Sequence, residues 1–287
     1  MWGVVKSLAN SPLTGPFAVT AKETASTSLG KAFEILDLFS LDRPILRIEE
    51  ISSLLGYTRS TAYRYLKELC DAGLLAPSSG GTYALGPRII ELEHLLQLTD
   101  PLYKAGRKVM RALHGENRVL LLHNLYRDRV LCIYKEGPDM LAHKGRRIVV
   151  RRARGVPFPL FQGAASLALL AYLAPHRVRQ TYLRNGPAIA AADLGESWDA
   201  FRKNLAAIRR RGYAISRERI TPNLGGVAVP ILLPGDKRVV GSLAQTLPSE
   251  SMTDAVIDDS AQRLWAASEE IAQEYLQASA EYAPATA

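Results

Sequence analysis

Cysteine is nearly absent from this chain. Cys70 and Cys132 are the only two in 287 residues, too few for a disulfide framework and consistent with a reducing compartment. Histidine is scarce as well. His94, His114, His123, His143 and His176 show no ligand spacing with Cys, Asp or Glu, so no metal or other cofactor is expected; His123, in a strand-like run, reads as a satisfied core or face residue. No apolar run approaches the roughly 20 residues of a membrane span. The first 27 residues lack a long apolar stretch with a small-residue cleavage site and read as a flexible leader. The sequence also lacks a Gly-x-Ser-x-Gly elbow and a phosphate-cradling loop, and its "NLGGVAVP" precedes a strand where a nucleotide fingerprint would open a helix. With no nucleophile–base arrangement, no catalytic residue is assigned. A non-enzymatic, cytoplasmic protein is the expectation.

Positive charge is plentiful but unevenly placed. The formal net charge is +8, yet residues 1–100 carry 9 Lys+Arg against 11 Asp+Glu, and residues 101–287 carry 27 against 17. Any nucleic-acid surface in the first part must therefore come from local arrangement, because steering depends on a face and not on a sum. The hydrophobic fraction of 47% supports real cores, and the length suits two domains.

The run "YTRSTAYRYLKELCDAGLL", from Tyr57, shows such an arrangement. Ala62, Leu66 and Leu69 fall at i, i+4 and i+7, an apolar stripe. Arg59, Ser60, Thr61, Tyr63, Arg64 and Lys67 occupy the other side, with Thr58 as N-cap. Guanidinium and hydroxyl groups at a helix N-terminus suit base edges and phosphates in a major groove. Two helical patterns precede it: "SLGKAFEILDLFSLDRP", with Ser28 as N-cap, and "LRIEEISSLLG", closed by Gly56. A hairpin follows, turning through Pro77-Ser78-Ser79-Gly80-Gly81. Helices and hairpin together describe a winged helix-turn-helix. A solvated helix face on a protein-docking module is the bland alternative.

"PRIIELEHLLQL" reads as an amphipathic linker helix, and Asp100-Pro101 opens another. From Arg118 the pattern changes. "RVLLLHNL", "RVLCIYKE" and "RIVVRRA" read as strands, "QGAASLALLAYLA" and "SWDAFRKNLAAIRRRG" as helices, and "GGVAVPILL" and "VVGSLAQT" as a hairpin about Pro234-Gly235-Asp236-Lys237. A long helix from Thr253 closes the chain. The predicted fold is α+β with two domains: an N-terminal winged helix-turn-helix joined by a helix to a sensor-like domain with an antiparallel sheet flanked by helices. The boundaries are 1–27 leader, 28–86 DNA-binding domain, 87–99 linker helix, 100–278 effector-binding and oligomerisation domain, and 279–287 frayed tail.

These segments resemble the IclR family of bacterial transcriptional regulators. The likeness rests on Ser28, on Leu46 with Glu50 and Ile51, on Ser60-Thr61-Ala62-Tyr63-Arg64-Tyr65-Leu66 with Leu69, on Gly73, and on Tyr83-Ala84-Leu85-Gly86. It continues through "GVPFPLFQGAASLALLA" and "IRRRGYAISRERITPNLGGVAVPI" and covers about residues 28–275. Arg47 departs from it where the family usually has a capping Thr or Ser. The resemblance implies a regulator that grips an operator as a homodimer or tetramer and answers to a small-molecule effector. By position it places Ser216, Arg219, Gly226, Ala244 and Thr246 along the effector pocket. Ser166-Leu167, Ser216, Arg219 and Gly226 all differ from the family's usual residues there, so the pocket chemistry is this chain's own. Arg219 would suit a carboxylate effector bidentately; a surface pair with Glu218 or Asp193 is the commoner fate of such a residue.

Two alternatives stay open. One is a DNA-binding protein whose second domain only dimerises, the other an enzyme with a winged docking domain. Nine basic residues from Arg127 to Arg154 read as a charged sheet edge. Lys104, Arg107, Lys108 and Arg111 read as a wet helix face, and Arg209-Arg210-Arg211 as a helix C-terminus.

Overall fold

In the computed structural model, residues 27–113, 115, 118–150 and 154–281 are described. The expected leader up to residue 26, the end of the tail from 282, and residues 151–153 of "RIVVRRA" lie outside them. The chain divides into two units, one through His94 and one from Leu95.

The first unit runs α1 (Ser28–Asp37), β1 (Ile45–Arg47), α2 (Ile48–Leu55), α3 (Arg59–Asp71), β2 (Leu75–Ser78) and β3 (Thr82–Leu85), with α4 (Arg88–Thr99) crossing the boundary. Ile35, Leu46, Ile51, Leu66 and Leu75 are essentially inaccessible and form its core, each burial stabilising by about 1.5–3 kcal/mol. The strands form an antiparallel sheet in the order β1-β3-β2.

Local details differ from expectation for identifiable reasons. Thr27, not Ser28, caps α1, its hydroxyl accepting from the Gly30 N–H at 3.1 Å. The helix expected from Leu46 begins at Ile48, because residues 45–47 pair with residues 82–84 as the third strand of the wing sheet. Arg47 has no acceptor to offer α2, and the cap is met from the other side: the Glu50 carboxylate accepts the Arg47 N–H at 2.7 Å. Pro77 and Ser78 belong to β2 rather than the turn, which an edge strand permits because its outer N–H positions have no partner. Gly56 ends α2 at φ 67°, the left-handed conformation a C-cap requires. The linker α4 buries no residue, so the amphipathic expectation fails; Ile90, Leu95, Leu96 and Leu98 are all exposed.

The second unit contains α5 (Pro101–Ala112), β4 (Val119–Tyr126), β5 (Arg129–Glu136), β6 (Met140–His143), β7 (Arg146–Val149), β8 (Pro157–Pro159), α6 (Ala164–Leu170), α7 (Pro175–Ala191), α8 (Trp198–Arg211), β9 (Ala214–Arg217), β10 (Leu224–Leu232), β11 (Val239–Pro248) and α9 (Asp254–Ala280). Antiparallel pairing gives a six-stranded sheet in the order β8-β5-β4-β11-β10-β9. The third expected strand is not in it: β7 pairs with β6 in a separate hairpin. The helix α7 escaped sequence reading because Gly186-Pro187 interrupts it, and the structure kinks at Asn185. The closing helix extends to Ala280, into the segment expected to fray.

The period-2 alternation of the strands separates two cores. Leu120, Leu122, Val227, Val229, Ile231 and Leu243 face α5 and α9. Val119, Leu121, Ala228 and Ala244 face α6 and the helices behind it. Lys104 and Lys108 of α5, expected as a wet face, pair with Glu281 at 2.7 Å and Glu274 at 2.6 Å. In the basic stretch, Lys135 pairs with Asp139, Lys144 with Glu250, and Arg154 donates to the Ile133 carbonyl. Those charges tie down the hairpin region as well as facing solvent.

Candidate functional site

Helix α3 separates its residues as the spacing requires. Ala62, Leu66 and Leu69 are buried together with Tyr65, which the apolar stripe did not include. Arg59, Ser60, Tyr63, Arg64 and Lys67 are exposed and Thr61 is half-buried. Thr58 caps the helix, accepting the Thr61 N–H at 3.2 Å and donating to the Thr61 hydroxyl at 2.8 Å, with the Ser60 hydroxyl at 3.1 Å. Three hydroxyls thus cluster at the N-terminus, where backbone N–H groups favour an anion. The entry turn is pinned from α1, since the Tyr57 hydroxyl donates to Glu34. Burial, and then that bond, push the Tyr57 phenol well above its usual range.

The two arginines are not equivalent. Arg64 donates to the Tyr65 hydroxyl at 3.0 Å and lies over its ring at 4.9 Å, a contact that holds the guanidinium against the helix. Arg59 reaches across to Glu49 of α2 at 3.2 Å, and both partners are largely exposed. Glu49 was not singled out in the sequence. Its carboxylate competes with any anion for Arg59, and only the folded juxtaposition of α2 and α3 reveals it. Lys67 has no ion-pair partner among the described residues.

In the second unit, strand register brings the expected effector residues together. Gly226 of β10 sits between Ser216 of β9 and Thr246 of β11, and Ala228 lies opposite Ala244. Ser216, Gly226, Ala244 and Thr246 therefore share the sheet face that carries α6. That end of the face is built from small residues, whereas the opposite face of the same strands presents Val227, Val229, Ile231, Leu243 and Leu247. A Cβ added at Gly226 would make ordinary contacts, 3.7 Å to the Ala164 Cβ and 3.8 Å to the Ser216 Oγ. Arg219 lies apart, in the turn after β9, and forms an ion pair with Asp193. This is the surface pairing that the sequence left open. Ile220 beside it packs on Gly163, whose φ of 87° is a backbone conformation that disfavours a side chain.

His123 lies deeper on this face, opposite Ser242, and is 2% exposed. Its ring meets Phe158 edge-on at 5.6 Å. The residue is buried as expected; Nδ1 lacks a well-formed hydrogen bond, and the backbone at Ser242 and Leu121 only partly offsets burial. Burial pushes its pKa down to about 4, so the ring is neutral at physiological pH. Burial also pushes the Cys132 thiol up to about 12, which makes it a poor nucleophile. Among the described residues no cluster of His, Cys, Asp and Glu could hold a metal, and no helix is long and apolar enough to cross a membrane.

Residues 28–78 match the IclR helix-turn-helix domain, and residues 105–273 match the bacterial transcriptional regulator IclR C-terminal domain. The chain belongs to the IclR family of transcriptional regulators. Among curated proteins it is similar to the probable HTH-type transcriptional regulator ArcR of Halobacterium salinarum, 27% identical over 237 residues, covering 80% of this chain and 86% of that protein. Its fold matches the crystal structure of an IclR transcriptional regulator from Alicyclobacillus acidocaldarius, with a TM-score of 0.70 at 20% identity over 86% of this chain and 98% of that one. An IclR homolog from Microbacterium hydrocarbonoxydans, solved with 4-hydroxybenzoate, gives a TM-score of 0.65 at 22% identity over 88% and 100%. The α+β two-domain organisation follows from these matches and the observed topology. As an IclR-family regulator, the protein is a DNA-binding transcription factor and not an enzyme.

Proposed function

We propose that this IclR-family regulator reads its operator with the open side of α3 and that a small-molecule effector in the second domain modulates its grip. The observation that carries the reading is the division of α3, with Ala62, Leu66 and Leu69 buried and Arg59, Ser60, Tyr63, Arg64 and Lys67 open. Thr61 completes the contact set at the helix N-terminus. The boundaries proposed are 28–86 for DNA binding, 87–99 for the linker helix and 100–278 for the effector and oligomerisation domain, in a cytoplasmic protein.

Single helix-turn-helix modules bind weakly. A homodimer reading half-sites about 34 Å apart, or a tetramer built from such dimers, is the working form. The exposed apolar side chains of α4 support association between copies.

The effector site proposed is the small-residue face of Ser216, Gly226, Ala244 and Thr246, with Arg219 recruited from the turn after β9 by exchanging Asp193 for the ligand. A carboxylate effector is favoured by Arg219 and by the 4-hydroxybenzoate bound to the Microbacterium protein. To act, such a ligand must bind two states of the regulator differently, by about 1–3 kcal/mol.

Fluorescence anisotropy with duplexes from the promoter beside its own gene, over a salt series, tests the first half. Binding should weaken linearly on a log–log plot, the slope counting phosphate contacts. Absence of binding to every duplex at low salt would refute it. Arg59→Ala should relax specificity if Arg59 reads a base, or weaken all sequences equally if it holds phosphate. For the second half, 4-hydroxybenzoate is the first probe in a thermal-shift series. An Arg219→Ala protein that responds to it unchanged would retire the carboxylate contact.

A further inference from the structure

A recess in the C-terminal unit has no part in that reading. It is a groove of about 850 Å³ between α7 and α8, floored by the chain that follows α6, and its size is that of a small-molecule site. None of Ser216, Arg219, Gly226, Ala244 or Thr246 lines it.

Its chemistry is uneven in one direction. Arg179, Arg202, Lys203 and Arg209 line it with Asp199 as the only carboxylate. Arg179 from α7 and Arg202 from α8 converge on one indole, their guanidinium carbons 5.4 Å and 5.9 Å from the Trp198 ring centre. Trp198 is braced by Tyr182 at 5.4 Å and Phe201 at 6.2 Å, so the aromatic wall is fixed before any ligand arrives. Arg209 is anchored by a 2.8 Å bond to the Ala171 carbonyl. The Arg202–Asp199 pair is loose, at 3.7 Å on an exposed helix turn, and such pairs contribute little. Lys203 has no ion-pair partner among the described residues. A solvated basic face would not require two cations from separate helices to stack on one half-buried tryptophan.

We propose that this groove is a second ligand site, selective for a small dianion carrying a flat ring, the chemistry shared by aryl phosphates and aromatic dicarboxylates. The ring stacks on the guanidiniums that Trp198 holds in place, and the charged end is met by Lys203, Arg209 and the free N–H edge of Arg202. Guanidinium stacked on an aromatic wall suits a planar group, and its free N–H edges suit paired oxygens.

Titration calorimetry of the full-length protein with phenyl phosphate, inorganic phosphate and phenol tests this at low ionic strength and pH 8, where both phosphates are dianions. Phenyl phosphate should bind saturably, one per chain, at least about tenfold tighter than either fragment, since each supplies only part of the contact. Arg202→Gln with Lys203→Gln should weaken it by about tenfold or more, with an unchanged thermal midpoint. Arg219→Ala, an exposed substitution that removes the cation assigned to the effector reading, should leave it unchanged, which separates this site from the effector reading. Should the double variant misfold, Lys203→Met alone replaces it.

No saturation at millimolar phenyl phosphate would overturn the proposal. So would equal affinity for inorganic phosphate, which would make the groove a generic anion patch. Binding that survives the groove substitutions, or that disappears with Arg219→Ala, would place the ligand elsewhere. A groove variant that changes sedimentation while phenyl phosphate never binds would make the surface a contact between copies of the chain.

Discussion

The open side of α3 and the α6-facing side of the β9–β10–β11 sheet are both proposed to meet a ligand, but they are built oppositely. On α3 long polar side chains project outward from a helix whose other side is buried. On the sheet the residues are small and sit beneath another element, with Ala164 of α6 near Gly226. A duplex is met by what protrudes, a small molecule by what has been left out. Substitution should therefore affect the two regions differently. On α3, polar truncation should spare stability and lower affinity. On the sheet, adding bulk should abolish effector response while DNA binding persists.

The sharpest test of the α3 division is Leu66→Ala. Leu66 is fully buried, and truncation should cost about 2–5 kcal/mol in denaturant unfolding. A cost below about 1 kcal/mol would mean that the buried and open sides have been assigned wrongly.

Next in size is a pH effect from the sheet. His123 is neutral when folded, with a pKa near 4, against about 6.5 when unfolded. Below pH 6.5 the unfolded chain binds the proton that the native ring refuses. The contribution is complete above about 6.5 and shrinks as pH falls toward 4, by about 3 kcal/mol across that window. Unfolding curves at several pH values should show the slope, and His123→Phe should flatten it.

Thr58→Ala removes the α3 cap and should cost about 1 kcal/mol, measurable as a lower denaturant midpoint. Lys67→Ala should leave stability within about 0.5 kcal/mol and reduce the salt slope of DNA binding by about one unit. A Lys67→Ala protein with an unchanged slope would remove Lys67 from the interface. The smallest effect is expected from Glu49→Gln. An exposed pair contributes about 0–1 kcal/mol, so releasing Arg59 should tighten DNA binding severalfold at most, and only at low salt.

The buried and open sides of α3 were largely legible from residue spacing, because a 3.6-residue period written over thirteen residues assigns each to a side. The three residues of β1 were not. Leu46 and Arg47 continue an apparently helical pattern, and only pairing with Thr82 and Tyr83 makes them strand. On the sheet, alternation along β10 and β11 was readable, but whether Gly226 met Ser216 and Thr246 depended on the register of three strands. The α7–α8 groove was unreadable. Gly186-Pro187 hid α7, and Arg179 and Arg202 are far apart in the chain until both helices pack.

Sequence alone determined which helix faces outward with polar groups, that an α+β domain follows it, and which family the chain resembles. Those properties rest on local periodicity and residue order, which a linear chain carries explicitly. Tertiary structure decided that Glu49 occupies Arg59, that Asp193 holds Arg219, that His123 is buried against Phe158, and that two helices close a basic groove on Trp198. Each of these is a meeting of residues distant in the chain. Charge and hydrogen-bond energies act over a few ångströms, so such meetings acquire consequences only once packing and strand register have set the distances.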